Sequence, residues 1–458
     1  MKRPKILLVN PWIHDFAAYD LWAKPLGLLV LGSILRLQGW DPVFVDCLDP
    51  HHYSLRDSLT AGRSRGKFHK TMLKKPEPLE LVPRTFSRYG VPVDQIRQDL
   101  DNQERPEAIL MTSLMTYWYS GVTETADLLR EVFPGVPLIL GGIYASLMPE
   151  HALGATRVDE VVQGPAEHRL AETLYRWTSL NPGTGHSNPP IQFTPDLDLL
   201  SSVRFLPVLT SRGCPYRCVY CASRLVQPNY QRRDPLEVVR EIETNILKYD
   251  VDEIVLYDDA FLCHANEHAL PILDAFSSLK PGLKWHTPNG LHVSEISPRV
   301  AASMKRAGFK TIRLGLESAS DNFHKTSGGK TNWKDFIRAV GYLKDAGFDT
   351  SEIGVYLLVG LPGQTSAQIE QDVEKALRAG AYPKLAEYSP IPGSALWPVS
   401  VNVGRYPIDK EPLYQNCSLL PVANSEVTWE FLSQMRKMIR DSIQSSGIGQ
   451  SGPCLNSV

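Results

Sequence analysis

Long apolar runs are missing from this 458-residue chain, and no stretch approaches the ~20 residues needed to cross a bilayer. The basic start Met1-Lys2-Arg3-Pro4 leads only into the short run Ile6 to Val9, too brief for a secretory signal. Net charge is nearly absent: -2, from 48 basic and 50 acidic residues, which makes no overall case for nucleic acid or a membrane surface. Cysteine is scarce. Three of the seven cysteines crowd into one octet and no other C-x-x-C pair exists, which argues against a secreted disulfide framework. A reducing, cytoplasmic setting is the expectation. What is present, 43% hydrophobic and 21% charged residues, is ordinary for a globular protein long enough for two or three domains.

The octet is Cys214-Pro215-Tyr216-Arg217-Cys218-Val219-Tyr220-Cys221. Soft thiolates at this spacing select zinc, copper(I) or an iron–sulfur cluster. Structural zinc wants four protein ligands, usually with a second pair further along, and that pair is missing. Cys214, Cys218 and Cys221 therefore suit a four-iron cluster with one iron left open. The spacing, with aromatic Tyr220 before the third cysteine, resembles the CxxxCxΦC signature of the radical S-adenosylmethionine superfamily.

In the first half, strands read at Lys5–Asn10, Asp41–Asp46, Ala108–Ser113 and Pro137–Leu140, and a fifth ends at Gln163. Helices read at Leu26–Gln38, Glu124–Phe133 and about Glu167–Thr178. The alternation predicts a doubly wound parallel α/β sheet that binds its ligand beyond the carboxyl ends of the strands. Small residues collect there: Ser113, the pair Gly141-Gly142, and Gly164. They are either tight turns or places where backbone meets a bulky ligand. With Pro25-Leu26-Gly27, their order resembles the cobalamin-binding domain that precedes many radical S-adenosylmethionine domains. Gly164-Pro165-Ala166-Glu167 keeps only the first and last letters of that family's Gly-Glu-Gly-Glu form. Asp49-Pro50-His51 starts like the D-x-H-x-x-G motif, but it follows the second strand and ends on Ser54. His51 is therefore read as a surface loop residue, and the corrinoid's lower face as lacking a histidine ligand. Tyr117, with Trp118 and Tyr119, either caps that face or packs between domains. The stretch 51–99 is a long insertion with nine basic against three acidic residues from Arg56 to Arg88. It is expected to be a solvated loop, with Phe68, Phe86 and Tyr89 as its only stacking surfaces for bases.

Beyond a Pro/Gly/Asn-rich linker, strands read at Phe205–Ser211, Glu253–Tyr257, Leu283–Thr287, Thr311–Leu316, Ile353–Val359 and Leu385–Ser389. Five helices between them make a partial (β/α)6 barrel of the TIM type, with its chemistry at the strands' carboxyl ends. Asp258 and Asp259 end the second strand, and either accept from a methionyl amino group or cap the next helix. Glu317 is the expected acceptor from ribose hydroxyls. Arg313 or Ser318 meets the methionyl carboxylate, a salt bridge being the competing account of Arg313. Gly360 opens a turn suited either to adenine or simply to turning the chain. His286 is a candidate acid or base, or else a satisfied core histidine. The domain plan is 1–180 cobalamin-binding-like, 181–200 linker, 201–395 barrel, and 396–458 helical extension with a tail holding Cys454. Val427 to Ile443 reads as an amphipathic helix, and Cys417 and Cys454 stay unassigned.

The resemblance to this combined class implies a 4Fe–4S cluster on the three cysteines, S-adenosylmethionine and cobalamin. The reaction it implies is methylation of an unactivated carbon through a 5′-deoxyadenosyl radical and methylcobalamin. It also implies an electron donor such as flavodoxin or ferredoxin. A cyclase or rearrangement without methyl transfer, and a corrinoid-binding sensor or carrier, are the alternatives. Methylthio transfer is disfavoured because an extra N-terminal cysteine trio is missing. The substrate, small molecule or peptide, is not legible.

Overall fold

The computed structural model describes residues 2–55, 66–182, 194–277 and 282–445. The chain divides into two compact units, Met1–Arg204 with Glu411–Tyr414, and Phe205–Lys410 with Gln415–Val458.

The first unit is built on five parallel strands: β1 (Lys5–Asn10), β2 (Asp41–Asp46), β3 (Ala108–Met111), β4 (Leu138–Leu140) and β5 (Glu160–Val161). Their spatial order is β5-β4-β3-β1-β2, so the winding reverses between β1 and β3. Successive side chains of β1 enter opposite layers. Ile6 and Leu8 pack with helices α1 (Leu26–Leu37) and α2 (Leu170–Thr178), whereas Leu7 and Val9 pack with Leu100, Val122 and Leu129 on helices of the other face. Burial on both faces explains why these strands are apolar runs and not alternating ones.

Residues 56–65 lie outside the described residues, and from residue 66 on the insertion corrects the expectation of a solvated loop. Lys70–Met72, Ser87–Tyr89 and Ile13–Asp15 form a three-stranded antiparallel sheet. Phe68, Phe86 and Tyr89 are buried, so none offers a face to a base. Arg88 bridges to Glu124 at 2.6 Å and lies over the Trp12 ring, while His14 holds the other oxygen of Glu124 at 2.7 Å. Arg88 serves tertiary closure, while Lys67, Lys70 and Lys74 are exposed.

In the second unit six parallel strands stand in sequence order: β6 (Leu206–Val208), β7 (Glu253–Leu256), β8 (Lys284–His286), β9 (Phe309–Glu317), β10 (Ile353–Val359) and β11 (Tyr382–Glu387). The first and last strands do not pair, which leaves the barrel partial. Intervening helices start at well-formed caps: Asp234 accepts from Leu236 and Glu237 ahead of Pro235, and Thr365 with Gln368 makes a capping box. The helix Trp429–Ser445 belongs to this unit, with Val427, Leu432 and Met435 packed on Val359 and Ile369. Among the described residues no helix is long and apolar enough to cross a membrane. Cys454 lies outside the described residues.

Candidate functional site

The cysteine octet is a loop pinned at three places. Its base is closed by an antiparallel ladder of Ser211-Arg212 with Gln231-Arg232. Gly213 enters it at φ +70, where a Cβ would stand 2.7 Å from the Asn229 carbonyl. Its middle is held from outside, since the Val219 N–H donates to Ser327 O at 3.1 Å. Gly328, at φ +113, lets that outer loop lie against the octet, because a Cβ there would meet Arg217 O at 2.7 Å. The octet therefore cannot be moved without its clamp.

Cys214 and Cys218 are half-buried and Cys221 is exposed. Burial pushes the Cys214 thiol up to about 11, with further upward contributions from Asp259, Cys218 and Cys221. The three sulfurs thus share one electrostatic neighbourhood. Among the described residues no three His, Cys or carboxylate groups converge on a single point fit for one metal ion. Three thiolates on one loop are the donor set of a 4Fe–4S cluster, one sulfur to each of three irons.

Lys330 was not anticipated from sequence. Its ammonium pairs with Glu317 at 2.7 Å, with both side chains 12% exposed. Burial lowers its pKa, but Glu317, Cys218 and Cys221 outweigh that and hold it above the ordinary lysine value. Glu317 itself sits at φ +69, an uncommon conformation for a non-glycine residue, where β9 and β10 shift register. The signal in sequence was the Gly328-Gly329-Lys330 run: two left-handed glycines delivering a cation.

The remaining expected groups divide into two sets. Asp258 is buried and fully engaged: it accepts from Thr210 N at 3.0 Å, Thr210 Oγ1 at 2.6 Å and Ser211 Oγ at 2.6 Å. It ties β6 to β7 and caps no helix. Asp259 is reached by solvent, beside Ser223, and its carboxyl is raised by the protein crowded around it. Ser318 is turned to Asp372 and to the Ser320 N–H. Arg313 contacts Tyr356 and donates to Ile312 O at 2.9 Å. The N–H groups of Gly360 and Leu361 are taken by the Gln364 side chain, and Gly360 needs its φ of +80 for the turn. Tyr220 stacks on Phe323, with its hydroxyl at Cys218. His286 is buried, with Nδ1 3.0 Å from Thr311 Oγ1 and Nε2 4.0 Å from Glu253, beyond hydrogen-bond reach. A different histidine reaches the octet: His292 Nε2 lies 3.9 Å from Cys214 Sγ. Burial, reinforced by Lys330, lowers its pKa to about 3, so its imidazole is neutral.

In the first unit the small residues at the strand ends are joined to one another. Ser113 Oγ donates to Gly141 O at 2.7 Å and accepts from Ala145 N at 3.2 Å, while Ser146 Oγ accepts from Gly164 N at 2.9 Å. Gly142, at φ +95, allows the closest approach, because a Cβ would stand 2.2 Å from Ser113 O. Added Cβ atoms at Gly27 and Gly164 would meet nothing within 4 Å. These glycines line a cleft of about 150 Å³ between the sheet, α1 and α2, floored by Leu110, Ile139 and Val162. An apolar slot edged by bare backbone fits the flat tail of a corrinoid. Pro25 precedes the first turn of α1. Tyr117 is buried, and Trp118 Nε1 donates to Asp15 at 2.7 Å. Leu114 and Met115 are the exposed apolar groups after β3. His51 lines a separate cavity with Asp46, Asp49 and Lys24.

Family models match two parts of the chain: the Radical SAM superfamily at residues 208–376 and the B12 binding domain at residues 86–174. The chain is 24% identical over 326 residues to an uncharacterised methyltransferase of Pyrococcus horikoshii, covering 65% of this chain and 70% of the relative. It is also 24% identical over 321 residues to the anaerobic magnesium-protoporphyrin IX monomethyl ester cyclase of Rubrivivax gelatinosus, covering 62% of this chain but only 56% of that enzyme. Its fold is similar to the radical S-adenosylmethionine methyltransferase TsrM of Kitasatospora setae, solved with cobalamin and a 4Fe–4S cluster. The TM-score is 0.62 at 16% identity, over 89% of this chain and 76% of that one.

Proposed function

We propose, from a Radical SAM match at residues 208–376 that follows a B12 binding domain match at residues 86–174, that the chain is a cobalamin-dependent methyltransferase acting on an unactivated carbon. The observation that carries the reading is the pairing, in one chain, of a clamped three-cysteine loop with a glycine-edged apolar cleft.

When bound, the cluster supplies the electron that cleaves S-adenosylmethionine to a 5′-deoxyadenosyl radical, and cobalamin supplies the methyl group. Cys214, Cys218 and Cys221 would hold the cluster as thiolates. Lys330 offsets their accumulated negative charge and is kept on station by Glu317. Asp259, the carboxylate of its pair left open to solvent, accepts from the methionyl ammonium. Tyr220 walls the site beside Cys218. In the first unit Gly27, Gly141 and Gly164 let the corrinoid tail lie against backbone, and Ser113 holds the glycine loop in register. Leu114 and Met115, exposed beyond β3, would offer the corrin an apolar surface. An external reductant such as flavodoxin or ferredoxin, in a reducing compartment, completes the reaction.

The test is anaerobic incubation of reconstituted protein with S-adenosylmethionine, cobalamin and a reductant. The reading requires 5′-deoxyadenosine, and with substrate a product heavier by one methylene. The similarity to a cyclase supports a second reading, radical ring closure without methyl transfer. A product of unchanged carbon count, with deoxyadenosine still formed, selects it. Failure to cleave S-adenosylmethionine at all would leave only a corrinoid carrier.

A further inference from the structure

Behind the octet lies a buried imidazole caught between two sulfurs. His292 is 3% exposed, with Nε2 3.9 Å from Cys214 Sγ and Nδ1 3.4 Å from Cys263 Sγ. Cys263 is equally buried and belongs to no ligand motif. We propose that Cys263, His292 and Cys214 form a hydrogen-bond relay whose end is an N–H donated to a cluster sulfur, setting how readily the cluster is reduced.

The polarity of the relay follows from the donors available. A cluster-bound Cys214 is a thiolate and only accepts, so Nε2 must carry the proton. Nδ1 lies 3.4 Å from Cys263 Sγ, and with the imidazole proton on Nε2 the Cys263 thiol is the donor placed to meet it. Cys263 thereby fixes the tautomer; it is a positioning residue, and His292 is the one that touches the ligand.

The surroundings hold that geometry. The Tyr216 ring covers the imidazole at 4.7 Å between centroids, and its hydroxyl is 3.4 Å from Glu295. The backbone before His292 is stitched to β9 by Leu291 N to Arg313 O at 2.7 Å and Gly315 N to Leu291 O at 3.0 Å. Cys263 is fixed from the other side, where Cys263 N donates to Ala260 O at 3.1 Å. A donor on a cluster sulfur stabilises the reduced, more negative state, so losing it makes reduction harder.

The inference rests on the cluster reading, and the experiment separates the two. Midpoint potentials of reconstituted protein, without S-adenosylmethionine, are measured by redox titration followed by electron paramagnetic resonance. Replacing His292→Phe should cut the reduced-to-oxidised ratio at fixed potential about tenfold, a shift of about 59 mV for one electron. His292→Gln keeps an N–H donor and should recover part of the shift. Cys263→Ala should give a smaller shift in the same direction, and Cys263→Ser a potential near wild type. Unchanged potentials in both His292→Phe and Cys263→Ala, with clusters intact, would overturn the relay, as would loss of the cluster in Cys263→Ala. Should a variant fail to fold, ¹⁵N-histidine-labelled wild-type protein must show nitrogen coupling to the reduced cluster; its absence also overturns the relay. A wild-type protein that assembles no cluster refutes the underlying reading instead.

Discussion

The two units prepare their sites by opposite means. The first does it by omission: Gly27, Gly141, Gly142 and Gly164 leave backbone bare where a flat ligand must approach, and serine hydroxyls hold the gap open. The second does it by supply, with three sulfurs, a buried cation and a carboxylate brought to one loop that Gly213 turns and Gly328 lets its neighbour clamp from outside. A cleft made by omission is spoiled by adding a methyl group. A site made by supply is spoiled by removing a single atom. The difference predicts which substitutions hurt, and in which half.

The largest effect falls on the supplied site. Cys218→Ala should abolish both the cluster's visible absorbance and deoxyadenosine formation, while cobalamin binding by the first unit persists. Next comes the tightest omission. Gly142→Ala places a methyl 2.2 Å from Ser113 O at φ +95, so a loss of about 3 kcal/mol in stability is expected, together with loss of cobalamin binding. Denaturant titration and corrinoid retention measure the two parts, and cluster content in the second unit should be unchanged.

A pH test sharpens the comparison within the second unit. His268 is 1% exposed, donates to Thr210 Oγ1 at 2.8 Å and has its pKa lowered to about 4 by burial and by Arg232 and Arg233. The unfolded chain takes up that proton near pH 6.5 and the fold resists it, so stability falls as pH drops from about 6.5 to 4. The loss is on the order of 3 kcal/mol and should shrink in His268→Gln, compared by urea unfolding of both apoproteins across that range. Asp258, raised by burial, contributes the opposite slope in both proteins and cancels in the difference. The smallest effect is at the open edge of the cleft. Gly164→Ala, with φ +67 and nothing within 4 Å, should cost about 1 kcal/mol and weaken cobalamin binding a few-fold, read by corrinoid titration.

Architecture was legible because both sheets announce themselves through apolar runs of strand length separated by capped helices. Lys5–Asn10, Asp41–Asp46, Ile353–Val359 and the helix Ser366–Ala379 fall where the pattern puts them. The octet was legible because thiolate spacing is local in sequence. Groups that act across sequence were harder. Lys330 reaches Glu317 only because two left-handed glycines fold its loop back, and His292 reaches Cys214 across 78 positions of chain. His286 is marked by strand position alone, and that position does not reveal that its Nδ1 meets Thr311 Oγ1. Of two adjacent aspartates, sequence offered no means to tell that Asp258 is consumed by Thr210 and Ser211 while Asp259 stays open. Basic residues in the insertion looked like a solvated face, because nothing local revealed that Arg88 meets Glu124 and Trp12.

The most direct measurement is the absorption spectrum of anaerobically reconstituted protein, taken with and without cobalamin. Broad iron–sulfur absorbance that needs all three octet cysteines, with corrinoid bands retained after desalting and lost in Gly142→Ala, is the predicted result. A colourless protein that binds one zinc ion, or one that releases all its corrinoid, would contradict the account.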